Sequence, residues 1–134
     1  MRVFADTSGL YAAVVGNDEA HDAAHGILVR LLEEGREIHT TSYVLLETMA
    51  LLQARVSLEK ALEFDAALGP FLTIQWVAGS LHARAVARLA SPRGGRRVSL
   101  VDATSFVAME DLGIEKAFAF DSHFRDEGFE ILES

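Results

Sequence analysis

The chain contains no cysteine. Disulfides and thiolate metal sites are therefore excluded, and the composition fits a reducing interior. Long apolar runs are also missing. No stretch approaches the roughly 18 residues that a membrane span needs, and no run of seven or more follows Arg2 as a secretory signal would require. The expected setting is the cytoplasm, away from any membrane. A basic excess is lacking too: 12 Lys and Arg stand against 20 Asp and Glu, for a formal net charge of -8. That balance argues against an open basic nucleic-acid surface. It leaves two readings for the acids, as solvated helix faces or as a cluster gathered around a cation. Repeats, low-complexity tracts and linkers are absent as well, so residues 1–134 read as one domain.

What is present is enough for a core. Half of the 134 residues are hydrophobic, and a chain of this length can bury most of them. Arg2 to Ala5 reads as a strand and Gly9 to Val15 as a short helix. From Asp18 to Glu34, Ala20, Ala24, Ile27, Leu28, Leu31 and Leu32 recur at helical spacing, with Asn17 or Asp18 as cap and Gly35 as stop. Glu37 to Thr41 is a strand and Tyr43 to Val56 a helix. Ser57 caps the next helix, which runs to Leu68 before Gly69-Pro70 breaks it. Leu72 to Val77 is a strand and Ser80 to Ala90 a helix. Ser91 to Arg97, "SPRGGRR", is a loop. Ser99 caps a helix to Leu112, stopped by Gly113. Ala117 to Phe120 is a strand, His123 to Asp126 one turn, and Phe129 to Leu132 a last strand. Alternating strands and helices predict a parallel sheet covered on both faces, with right-handed crossovers. In such sheets, function gathers at the carboxyl ends of the strands.

Four acids sit where apolar residues are expected: Asp6 after "VFA", Glu47 in "YVLLETMALL", Asp102 in "VSLVDATSFVAM" and Asp121 after "AFAF". Each has a local explanation. Asp6 and Asp121 can cap helices, Asp102 can close a capping box with Ser99, and Glu47 can lie on a wet helix face. All four nevertheless fall at the same edge of the expected sheet. Two like charges about 4 Å apart repel by roughly 4 kcal/mol at a surface-like dielectric. No Lys or Arg is adjacent in sequence to offset this, whereas a divalent cation would. Carboxylate and hydroxyl ligands suit hard ions, Mg²⁺ or Mn²⁺. Thr7, Ser8, Ser42, Thr104 and Ser122 flank the acids and could orient waters or carboxylates around such an ion. The chemistry indicated is hydrolysis of a phosphodiester by metal-activated water.

The order "FADTSGL", "SYVLLET", "SLVDATSFVAME" and "FAFDSHF" resembles the PIN domain, and within it the VapC-type toxins of bacterial toxin–antitoxin pairs. The resemblance spans the whole chain. It implies a three-layer α/β/α sandwich around a central parallel sheet of four to five strands. It implies a Mg²⁺- or Mn²⁺-dependent endoribonuclease whose metal-site acids are Asp6, Glu47, Asp102 and Asp121. It also implies a homodimer and a VapB-type antitoxin partner. A PIN nuclease of RNA maturation without an antitoxin is the alternative. A non-catalytic receiver-like module is disfavoured, since "LTIQWV" ends in no Asp and "AFAF" has no Lys.

Other residues are weighed alongside. Arg93, Arg96 and Arg97 could clamp RNA phosphates, with Arg84 and Arg88 extending the patch. His21 and His25 lie four apart but lack a third ligand, so they read as surface histidines, and His123 reads as a turn residue. Trp76 and the phenylalanines read as core. Val44, Leu45, Leu46, Met49, Leu51 and Leu52 nearly encircle one helix, which implies burial, within the domain or against a partner.

Overall fold

The apolar run Val3 to Ala5 becomes the middle strand of a five-stranded sheet in order β3-β2-β1-β4-β5. The structure is a computed structural model that describes residues 1–91 and 98–134. Strand β1 (Arg2–Ala5) leads into helices α1 (Thr7–Val14) and α2 (His21–Glu33). Strand β2 (Glu37–Thr41) leads into α3 (Ser42–Arg55) and α4 (Leu58–Leu68), and a 3-10 turn enters β3 (Leu72–Gln75). Then come α5 (Gly79–Ala90), α6 (Leu100–Leu112), β4 (Lys116–Phe118), α7 (Ser122–Asp126) and β5 (Glu130–Ile131). Every strand pairing is parallel. Parallel neighbours need crossovers, and the crossover helices cover both sheet faces. The result is the expected three-layer α/β/α sandwich.

Strand β2 shows how a polar segment survives in that core. Thr40 and Thr41 are buried. The Thr40 hydroxyl donates to the Ala5 carbonyl at 2.8 Å, and the Thr41 hydroxyl accepts from the Val44 amide as the cap of α3. Each buried hydroxyl thus has a partner, which is the condition for burying it cheaply.

Local signals set most boundaries. Ser57 caps α4 and Ser99 caps α6 as expected, and Gly113 closes α6 at φ 68°, the left-handed conformation that glycine adopts without penalty. Helix α2 departs from expectation. It starts at His21 rather than Asp18, because the Asp18 carboxylate accepts from the Ala20 amide in a turn of its own.

Burial also corrects the reading of α3. Val44, Thr48 and Leu52 form its one buried strip, while Leu46 is 68% exposed. The helix with unbroken burial is α6, from Asp102 to Met109. Phe4, Phe106, Phe118 and Phe124 are core, as expected, but Trp76, Phe71 and Phe120 face solvent.

The chain builds β1, β2 and β3 outward to one side, then returns to add β4 and β5 on the other. The direction reverses between β1 and β4. In open α/β sheets a crevice forms at that reversal, outside the carboxyl ends of the strands. The Asp6 amide donates to the Phe118 carbonyl at 3.1 Å and closes the top of this pairing. Gly9 makes the close approach possible, since a Cβ there would lie 2.4 Å from the Phe118 carbonyl oxygen.

Candidate active site

Asp6 leaves β1 at the crevice. One carboxylate oxygen accepts from the Ser8 amide at 3.1 Å and from the Ser8 hydroxyl at 2.7 Å, so the residue does cap α1. The same hydroxyl accepts from the Phe120 amide at 2.9 Å, tying β1 to the segment after β4. The residue is 3% exposed. Burial pushes its pKa up to about 6 against the pull of the Ser8 hydrogen bonds, and the Asp102 charge adds to the rise. Among the described residues, no Lys or Arg pairs with Asp6 to offset that rise.

Asp102 comes from the first turn of α6, where it closes the expected capping box with Ser99. Asp121 caps α7 through the His123 amide. The His123 ring joins the two acids: its Nδ1 lies 3.1 Å from an Asp102 oxygen and 3.1 Å from an Asp121 oxygen. Ligand atoms of Asp102, Asp121 and His123 all lie within 4.8 Å of one another. Glu47, on α3, faces the same cavity, which measures about 500 Å³. All four expected acids therefore line one pocket. Asp18, Glu19, Tyr11 and Arg55 line it too.

The structure sorts the flanking hydroxyls. Ser8 holds Asp6, as anticipated for a supporting residue. Thr7 lines the pocket with its hydroxyl buried and, among the described residues, without a hydrogen-bond partner. The other three are engaged elsewhere. Ser42 accepts from the Val77 amide and braces β3 against α3. Thr104 donates back to the Leu100 carbonyl within its own helix. Ser122 lines a neighbouring groove beside Arg125.

The basic residues are sorted likewise. Arg84 is held by Asp111 in two bonds of 2.8 and 2.6 Å, and Arg88 pairs with Glu110 and Glu127, so neither extends a free basic patch. Arg93, Arg96 and Arg97 lie outside the described residues. The His21 ring nitrogen meets the Ala12 carbonyl at 2.8 Å, and its ring stacks on His25, a structural pair. His123, read from the sequence as a turn residue, instead lies against two of the pocket acids. Its partner Asp102 is 21 positions away, a contact no local pattern announces; its place two residues beyond a capping acid was the available signal.

Does this pocket suit a divalent cation? The donors are hard oxygens, which match Mg²⁺ or Mn²⁺. Burial and the neighbouring Asp102 charge disfavour the ionised form of Asp6, which a nearby cation would offset. Asp102 and Asp121 lie close enough to share such an ion, and Asp6 and Glu47 line the same cavity.

Comparison with known proteins supplies the family. A model of the PIN domain matches residues 3–130. The chain belongs to the PIN domain family. Among curated PIN relatives, the 23S rRNA-specific endonuclease VapC20 of Mycobacterium tuberculosis is 36% identical over 129 residues, 95% of each chain, in both the CDC 1551 / Oshkosh and the ATCC 25618 / H37Rv strains. The crystal structure of the M. tuberculosis VapC20 protein, a Sarcin-Ricin loop cleaving toxin, superposes with a TM-score of 0.86 at 31% identity. The superposition covers 98% of this chain and 99% of that one. Within the PIN family the chain thus stands with the VapC toxins, and it is a nuclease, an enzyme that hydrolyses phosphodiester bonds.

Proposed function

We propose that the chain is a divalent-cation-dependent endoribonuclease, the toxin of a type II toxin–antitoxin pair, acting on structured RNA in the cytoplasm. The observation that carries this reading is the convergence of Asp6, Glu47, Asp102 and Asp121, from four separate segments, on one pocket. A structural set of acids would be matched by cations, as Asp111 and Glu110 are by Arg84 and Arg88. Among the described residues, no Lys or Arg pairs with these four, and only His123 lies against two of them. The 23S rRNA specificity of the VapC20 relative supports ribosomal RNA as the target class.

A bound Mg²⁺ or Mn²⁺ would lower the pKa of a water and offset charge on the reacting phosphate. The residues themselves do the rest. His123 holds Asp102 and Asp121 at a fixed separation, and Ser8 fixes the aim of Asp6. Water adds to phosphorus, one P–O bond breaks, and the leaving ribose oxygen takes up a proton.

A VapB-type antitoxin and a second copy of the chain are the proposed protein partners. Leu46, Val56, Leu58 and Leu62, on or between α3 and α4, are 49–68% exposed and supply apolar surface for such contacts. Burying one such side chain gains about 1.5–3 kcal/mol.

The test uses purified protein and ribosomal RNA, with Mg²⁺, with Mn²⁺ or with EDTA. Cleavage is expected with either ion, and none with EDTA or for Asp6→Asn. Expression should arrest growth, and a coexpressed VapB-type partner should restore it. Retained metal-dependent cleavage by Asp6→Asn would refute the assignment. Mapped RNA ends after brief expression would give the target.

A further inference from the structure

Helix α3 presents Glu47, Leu51 and Arg55 to the acidic pocket at successive four-residue steps. This is one face of a helix. Arg55 therefore lies about 12 Å along the axis from Glu47, in the last turn of α3. Its guanidinium sits over the ring of Tyr11, 5.6 Å from the centroid, and Tyr11 lines the pocket as well. The surroundings are acidic: Asp6, Asp18, Glu19, Glu47, Asp102 and Asp121 all line that cavity. Yet among the described residues no carboxylate lies within ion-pair reach of Arg55. Among the described residues only Arg125 shares this lack of a carboxylate or carbonyl partner, and it lies at a different groove, beside Ser122. Arg36, Arg84 and Arg88 are paired with carboxylates, and Arg2 and Arg30 donate to carbonyls.

We propose that Arg55, stacked on Tyr11, binds a backbone phosphate of the RNA a few nucleotides from the bond that is cut. The proposal rests on the ribonuclease reading above. A strand entering a pocket of six carboxylates needs cations beyond the resident ion. A guanidinium offers a planar fork of donors that matches a phosphate. Stacking on Tyr11 holds that fork in place at an exposed position. A lysine would complement the helix end equally well but would lose the planar fork and much of the stack.

The experiment uses the full chain with saturating Mn²⁺ and a short RNA spanning the mapped cut site. For Arg55→Ala, KM should rise about tenfold while kcat stays within about twofold. The slope of log(kcat/KM) against log salt should shrink by about 0.7, the loss of one phosphate contact on a single strand. Arg55→Lys should recover part of the loss. Tyr11→Ala should weaken binding in the wild type but add little to Arg55→Ala. A set of RNAs, each with one linkage made neutral as a methylphosphonate, should reveal one flanking position that weakens the wild type about tenfold and leaves Arg55→Ala unchanged. Should the alanine variant melt early, Arg55→Lys carries the same comparison. Unchanged KM and salt slope, or neutral linkages that harm variant and wild type alike, would overturn the phosphate contact and leave the ribonuclease reading intact. Wild-type protein that cuts no RNA would overturn both.

Discussion

Replacing Asp6 with Asn should make the metal-free protein more stable while abolishing its activity. A carboxyl whose pKa is raised in the folded state binds its proton more tightly there than in the unfolded chain. The folded state is therefore penalised as pH climbs from about 3.8 to about 6, and the penalty is complete above that window. A rise of that size corresponds to about 3 kcal/mol. Asparagine removes the charge, but its buried amide group returns about 1–2 kcal/mol through unmet hydrogen bonding. A net gain of about 1–2 kcal/mol remains, roughly 4–8 °C in Tm for a domain of this size. The assay is thermal melting in EDTA from pH 4.5 to 7.5, for wild type and Asp6→Asn side by side. The gap between them should be small at the acid end and reach its full size near pH 7. Adding Mn²⁺ should raise the wild type and leave the variant nearly unmoved. A variant that melts below wild type at pH 7 in EDTA would refute the reasoning, as would a gap that does not change with pH.

Three further outcomes follow from the same geometry. His123→Ala should keep its fold yet lower kcat/KM by about 10–100-fold, the usual loss when a residue orienting metal-site carboxylates is removed; steady-state cleavage with a melting control measures it. Gly9→Ala gains about 1 kcal/mol in helix propensity but forces a Cβ to within 2.4 Å of the Phe118 oxygen. Overpacking of about 1–3 kcal/mol against backbone should win, so a lowered denaturation midpoint and reduced activity are expected. Ser8→Ala removes the hydroxyl bond that lowers the Asp6 pKa, so the Asp6 titration followed by NMR should move above about 6.

The parts of the fold that were legible in the sequence are those decided by neighbours in the chain. Ser57, Ser99 with Asp102, Gly35 and Gly113 mark helix ends because a cap is a contact over two to four residues. The four acids were legible because each interrupts an apolar run, and parallel topology sends strand ends to one edge. What escaped depends on distant partners. His123 gains its role from Asp102, and Arg84 and Arg88 lose theirs to Asp111, Glu110 and Glu127. Helix α3 looked buried all round and α6 did not stand out. Composition cannot tell whether a neighbouring helix covers the last face. Asp18 misled in a simpler way, since a side chain that can cap a helix can equally close the turn before it.

Asp6 and Asp121 flank the junction of β1 and β4, held together by the Ser8 hydroxyl and the Asp6 amide. Their separation is therefore set in the interior of the sheet, by contacts between two paired strands. The outer strands β3 and β5 and the segments beyond them take no part in that measurement. Chemistry and reach are thus built from separable pieces. On the proposed function, a chain of this design can lengthen or recharge a rim without disturbing the β1–β4 junction that places Asp6 and Asp121.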